Sequence, residues 1–179
     1  MEKETKKEEE KEKPFWQELL SCVVLVVVVI LVKHYIVSPV RVNGISMVPT
    51  LKDKDYMLLN KIGYRVGNIK RFDIVVIEYE DEYIIKRVIG LPGEKVAYQN
   101  NKLYINGSYV KEDYTREDMD DYSIGSLGQS QVPEDCYFVL GDNRPVSKDS
   151  RIIGFVPKKN ILGKSAFTLL PFDRFGSKK

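Results

Sequence analysis

The sequence predicts a mainly β fold, a barrel-like domain held behind one N-terminal transmembrane helix. Three observations predict it. A long apolar run lies near the N-terminus. From Val40 onward, short stretches rich in Val, Ile, Tyr and Phe recur between turn residues. Helical periodicity is sparse in that same part of the chain.

The apolar run comes first. Leu19 to Val32 supplies 14 residues, short of the roughly 20 that cross a bilayer. Trp16 before it and Tyr35-Ile36-Val37 after it extend it, and Lys33 can snorkel. Trp16 is the only tryptophan, placed where apolar sequence meets charge, as an interfacial ring should be. Valine is a poor helix former in water, but in lipid the backbone must satisfy itself internally, which forces a helix. Residues 15–37 are therefore expected to span. A cleaved signal peptide and a buried strand are the alternatives; the first lacks an Ala-x-Ala-like site, for which Val37-Ser38-Pro39 is a poor substitute.

Ahead of the run, Met1 to Lys13 holds five lysines and six glutamates. Such a segment builds no core, and residues 1–14 are expected to be a charged cytoplasmic tail. Lysine and arginine counts place this end in the cytoplasm and residues 38–179 outside, giving a single-pass protein of the cell membrane.

The β pieces follow in order: Val40–Val42, Tyr56–Asn60, Phe72–Tyr79, Tyr83–Ile89, Lys95–Tyr98, Lys102–Ile105, Cys136–Leu140 and Ile161–Leu170. Gln99-Asn100-Asn101 joins two of them as a hairpin. Many short strands with frequent turns suggest a closed or half-closed barrel. Lys111 to Gln131 is acidic, polar and serine-rich, and is expected to be a mobile surface excursion. It lacks the spaced-ligand pattern of a calcium loop. Asn106-Gly107-Ser108 fits a glycosylation acceptor and, more simply, a β turn.

Composition excludes several classes. The 28 basic and 26 acidic side chains give a net charge of +2, no footprint for nucleic acid. Two cysteines, Cys22 and Cys136, are expected to be free and buried, and with so few ligands no metal or cofactor site is expected. The single histidine, His34, ends the apolar run. A hydrolase built downstream of it has no imidazole base.

Asn43-Gly44-Ile45-Ser46-Met47-Val48-Pro49-Thr50 offers a serine in an apolar turn as a candidate nucleophile. With no histidine in the domain, its base must be lysine or a carboxylate. Lys86 lies inside a β run, sharing a face with Ile84 and Val88, while Arg87 shares the other with Ile85 and Ile89. One of these two charges must meet apolar surroundings or a cleft. Burial lowers a lysine pKa, and a value of about 7 to 8 is within its reach. Arg87 stays protonated and cannot be the base. Taken alone, Lys86 reads more simply as one more charge on the wet face of a half-buried strand, and Ser46 as one more serine.

The combination of motifs resembles the bacterial type I signal peptidases, from the anchor to about Pro171. Gly44-Ile45-Ser46-Met47-Val48-Pro49-Thr50 is similar to the family's nucleophile motif. Lys86-Arg87-Val88-Ile89-Gly90-Leu91-Pro92-Gly93-Glu94 is similar to its general-base motif. Gly141-Asp142-Asn143-Arg144, Ser147, Asp149-Ser150-Arg151 and Gly154-Phe155-Val156-Pro157 are similar to its third. Arg71-Phe72-Asp73-Ile74-Val75-Val76 fits the remaining strand, with Phe72 where a glycine is common.

The resemblance implies a membrane-bound serine endopeptidase that removes signal peptides from exported preproteins after small residues at minus-three and minus-one. It implies Ser46 as nucleophile, Lys86 as general base and an acyl-enzyme. Ser147 would orient the lysine amine. Asp142, Asn143, Arg144, Asp149 and Arg151 would shape the site, the acids pairing with the arginines. The Ser46 N–H is the natural oxyanion donor. Some relatives place a second donor, a hydroxyl, where this chain has Gly44, which resembles the Gram-positive branch. Ile45 and Val75 are candidate pocket residues, and Met47-Val48 is expected to face the bilayer. Preprotein signal peptides, the bilayer and a nearby secretion translocon are the implied partners. A self-cleaving repressor-like Ser-Lys protease and a non-catalytic membrane-tethered β binding module are the rivals.

Overall fold

The computed structural model describes residues 15–61 and 69–176. The charged tail expected over residues 1–14 lies outside them. Helix α1 (Phe15–Leu31) continues through a π-helical turn, Val32–Ile36, and passes without a linker into β1 (Val37–Arg41). The helical stretch has 22 residues, about 33 Å at the α-helical rise, enough for a hydrocarbon core of about 30 Å. None of its residues is buried against the domain. The chain is anchored to a membrane through this helix. Lys61 ties the next hairpin to the helix end: its N–H donates to the Ile36 carbonyl at 2.9 Å and its Nζ to that of His34 at 3.3 Å.

The strands after β1 are β2 (Tyr56–Asn60), β3 (Ile74–Tyr79), β4 (Glu82–Gly90), β5 (Val96–Gln99), β6 (Lys102–Ile105), β7 (Ser108–Val110), β8 (Tyr122–Ser123), β9 (Cys136–Leu140), β10 (Val156–Pro157) and β11 (Ile161–Leu170). A short helix, α2 (Ser150–Ile153), precedes β10. Seven strands form one sheet in the order β1-β2-β11-β3-β4-β9-β10, and four form another, β7-β6-β5-β8.

The expected barrel is not formed, because both sheets are open. In the larger sheet β1 and β10 are unpaired edges rather than neighbours. Each edge carries a proline, Pro39 or Pro157, which has no N–H to give to a further strand, and β10 is only two residues long. The smaller sheet likewise ends in short strands, β7 and β8. Strand number and composition gave no information on closure.

The turns obey local chemistry. Asn100 and Asn101 both have positive φ, 49° and 61°, as does the Asn106-Gly107 pair at 50° and 81°. These are the two-residue hairpin turns that the right-handed strand twist favours. The Asn-Gly pair thus joins β6 to β7. Of the segment Lys111 to Gln131, only β8 is strand, yet it is not wholly superficial. Met119 and Ile124 are buried with Val96, Leu103 and Phe138, and Glu112 turns inward.

Three apolar clusters support the site. Met47, Leu51, Met57, Leu59, Val76 and Ile85 form one beneath the Ser46 turn. Val75, Ile77, Val88 and Val139 form a second, in which central β3 and β4 are covered on both faces. The third joins the two sheets through Ile89, Val96, Tyr98 and Phe138.

Candidate active site

Ser46 sits in a turn between β1 and β2. Gly44 enters it with φ +91°, a conformation that suits glycine, and its N–H donates to Asp53 Oδ1 at 2.9 Å. Met47 and Leu51 plug the turn into the core, at 2% and 0% exposure. Met47 therefore points inward; the expectation that it faces lipid is corrected, because the apolar side of this turn is used to fix the serine. Ser46 itself stays half-buried.

Lys86 reaches Ser46 from β4. Its Nζ lies 2.8 Å from Ser46 Oγ, and the residue is 3% exposed. The two residues are 40 positions apart, and the antiparallel pairing of β3 with β4 and of β4 with β9 holds the lysine at this point. Burial lowers the amine's pKa from 10.5 to about 8, while the nearby charges of Asp149 and Asp142 pull it back up. At pH 7 about a tenth of such an amine is neutral. When neutral, its lone pair can accept the serine's proton. When charged, it can only donate.

Arg87, next along the strand, points to the opposite face and is fully buried. Its Nε and one terminal nitrogen donate to the two carboxylate oxygens of Asp142 at 2.8 and 2.7 Å. Its other terminal nitrogen donates to the Phe72 carbonyl at 2.9 Å. Tyr114 covers the guanidinium, its ring centre 3.9 Å away. Thr50 Oγ1 donates to Asp142 Oδ2 at 2.5 Å. Phe72 has φ +70°, which accounts for the glycine common at this position.

The remaining expected residues converge on the same corner. Asp149 caps α2 and binds Arg151 through both oxygens, at 2.8 and 2.9 Å, while accepting the Gly141 N–H at 3.0 Å. Asn143 holds the nucleophile turn, its N–H donating to the Ser46 carbonyl at 3.0 Å and its Nδ2 to the Ile45 carbonyl at 3.2 Å. Gly141 is packed so closely on Ser147 and the Ser46 carbonyl that a Cβ there would overlap both. Ser147 is buried beside them, but among the described residues its hydroxyl has no hydrogen-bond partner, the Lys86 amine included.

The acids and arginines pair differently from the loop-internal scheme expected. Only Asp149–Arg151 is local. Asp142 is taken by Arg87, and Arg144 by Glu112 at 3.0 Å, with Tyr98 and Tyr114 hydroxyls beside it. Arg87, Glu112, Tyr98 and Tyr114 were not legible as site residues. The one available signal was an arginine on a strand face otherwise made of isoleucine.

A cleft of about 750 Å³ opens at the Ser46–Lys86 pair. Its walls are β1, from Ser38 to Arg41, and the first half of β4, from Glu82 to Ile85. Neither Ile45 nor Val75 lines it; Ile45 is exposed, and Val75 is buried as the directly paired β3 neighbour of Lys86. Cys136 is half-buried and Cys22 lies on the outer surface of α1, both as free thiols. The His34 ring packs edge-on against Tyr35, 4.6 Å between centres.

Residues 15–170 match the family described as "Signal peptidase, peptidase S26". The signal peptidase I of Bacillus caldolyticus is 43% identical over 152 residues, 79% of this chain and 84% of the relative. Signal peptidase IB of Staphylococcus aureus is 39% identical over 161 residues, 81% of this chain and 84% of the relative. A crystal structure of a signal peptidase I from Enterococcus faecalis superposes with a TM-score of 0.52 at 38% identity, covering 55% of this chain and 97% of that one. The chain belongs to the signal peptidase S26 family of membrane-bound serine endopeptidases that cleave signal peptides, and its likeness is to the Gram-positive branch.

Proposed function

We propose that Ser46 is the nucleophile and Lys86 the general base of this endopeptidase. Neutral Lys86 takes the Ser46 proton as Oγ attacks the scissile carbonyl. The resulting ammonium gives a proton to the leaving amine, and an acyl-enzyme remains on Ser46. The same lysine then deprotonates a water that releases the acyl segment. The observation that carries this assignment is a buried amine 2.8 Å from the hydroxyl.

The Ser46 N–H serves as one oxyanion donor. Among the described residues it has no acceptor, whereas the Gly44 N–H is already bound to Asp53. Asp142 and Arg144 shape the site through Arg87 and Glu112, and Asp149 and Arg151 through the Gly141 backbone. Ser147 stands beside the pair as an orienting hydroxyl whose partner arrives with substrate or solvent.

The substrate is a preprotein bound as an extended strand, with small residues at minus-three and minus-one. Support comes from the sheet edges. Among the described residues, the half of β4 from Glu82 to Lys86 has no strand partner on its β9 side, because that pairing starts at Arg87. Among the described strands, none pairs with β1 on the side away from β2. A strand entering the cleft can bond to either edge. The catalytic domain lies outside the cell membrane and the N-terminus in the cytoplasm, with cleavage close to the secretion translocon; the lysine-rich start of the sequence favours that orientation.

The test is the Ser46→Ala variant, presented in micelles with a preprotein bearing a signal peptide. Loss of cleavage with normal folding is expected. Undiminished cleavage overturns the assignment.

A further inference from the structure

We propose that Glu112 is a positioning residue for Ser46, acting through Arg144 and the Gly141–Asn143 backbone. This role presupposes the Ser46–Lys86 assignment and extends it to a segment outside the family motifs.

Arg144 is 1% exposed and Glu112's side chain 6%. The guanidinium's Nε donates to the Gly141 carbonyl at 2.9 Å. Its terminal nitrogens donate to the Tyr98 hydroxyl at 2.8 Å, the Tyr114 hydroxyl at 2.9 Å and Glu112 Oε1 at 3.0 Å. Both tyrosine hydroxyls then donate to that same carboxylate oxygen, at 2.8 and 2.5 Å. The other oxygen takes Arg116 Nε at 2.8 Å. One largely buried carboxylate thus joins two arginines and two tyrosines. Burial pushes its pKa up, but Arg144 and the bonds from Tyr114, Arg116 and Tyr98 outweigh that and hold it below its ordinary value. It is therefore charged wherever the enzyme is folded near neutrality.

This cluster is coupled to the nucleophile by one short stretch of backbone. Arg144 fixes the Gly141 carbonyl, and two residues on, Asn143 holds the Ser46 and Ile45 carbonyls. The Glu117 N–H, from the same segment as Glu112, holds the Asp142 carbonyl between them at 2.9 Å. Gly141 packs on the Ser46 carbonyl with no room for a methyl group, so a shift of this loop shifts Ser46. Buried cations left without their carboxylate draw in water and move the loop.

The test compares the full chain in micelles with Glu112→Gln, using a preprotein substrate and a stability measurement at the assay temperature. The folded variant is expected to lose kcat by about tenfold or more with KM little changed, since the pair is misplaced rather than the cleft. The midpoint of its pH–rate curve is expected to rise, because a loosened loop wets Lys86. Asp142 and Asp149, the charged groups that bear on that amine, are unaltered. Asp113→Asn, the same change of charge one residue on at an exposed site, serves as the control and keeps both values.

Wild-type kcat and midpoint in folded Glu112→Gln overturn the proposal. So does an activity loss that merely matches the unfolded fraction. Should Glu112→Gln not fold, Tyr98→Phe decides: it keeps the ion pair and removes one hydroxyl, and an unchanged kcat there overturns the proposal. Ser46→Ala, run alongside, separates the two levels. If it cleaves, the nucleophile assignment has failed; if it is dead while Glu112→Gln is normal, only the role of Glu112 has.

Discussion

Replacing Lys86 by Met should stabilise the folded chain near neutral pH and abolish its activity. The unfolded lysine titrates at 10.5 and the folded one at about 8. The folded state therefore binds fewer protons between those values, and wild-type stability rises with pH through that window. About a pH unit below 8 and lower, the folded chain carries nearly the full cost of a charged amine held out of water. The gap is worth about 3 kcal/mol, and losing the Lys86–Ser46 hydrogen bond takes back about 1 kcal/mol. A net gain of about 2 kcal/mol for the variant is expected at pH 6 to 7, with Met filling the lysine's volume. As pH rises toward 10.5 the wild type recovers, and the variant's advantage disappears. Denaturant unfolding of both chains in micelles from pH 6 to pH 10.5 measures this difference. A difference that does not change with pH, or a variant less stable at pH 7, would refute the reasoning, because the amine would then be charged and satisfied in the fold.

Three further outcomes are expected. Asp142→Asn strips the buried Arg87 of its carboxylate and should cost about 3 to 5 kcal/mol in the same unfolding assay; joint replacement of Arg87 and Asp142 by apolar residues should recover most of it. Gly141→Ala must move the Ser46 carbonyl or Ser147, so kcat on a preprotein should fall about a hundredfold while KM holds. Met47→Ala leaves a hole under the nucleophile turn and should cost about 2 to 5 kcal/mol; a negligible loss would mean that Met47 faces lipid after all.

What the sequence made legible depended on how local each cause was. Tyr56–Asn60, Lys102–Ile105, Cys136–Leu140 and Ile161–Leu170 were placed to the residue, because their apolar and aromatic content and the turn residues around them mark them. β8 and β10, at two residues each, have no periodicity to detect. Closure of the sheet depends on whether β1 meets β10, and the only local marks against it are the single prolines Pro39 and Pro157, which strand counting passed over.

At the site, the sequence offered Ser46 and Lys86 only as separate, weak candidates, and it was the order of three motifs that joined them. Their 2.8 Å contact spans 40 positions and is created by strand pairing. The ion pairs show the same limit. Asp149–Arg151 is two residues apart and was foreseen in kind. Arg87–Asp142 and Arg144–Glu112 join distant strands and loops, where proximity in sequence pointed to the wrong partners. The non-catalytic module required an exposed Lys86 remote from Ser46, whereas the amine is buried and in contact.

The most direct measurement is the pH dependence of kcat/KM for preprotein cleavage by the full chain in micelles, which reports the free enzyme's essential base. A one-proton rise with its midpoint near pH 8, the value that burial gives Lys86, is the expected curve. A rate that is flat from pH 6 to 9.5, or that climbs only toward the ordinary lysine value of 10.5, would contradict it.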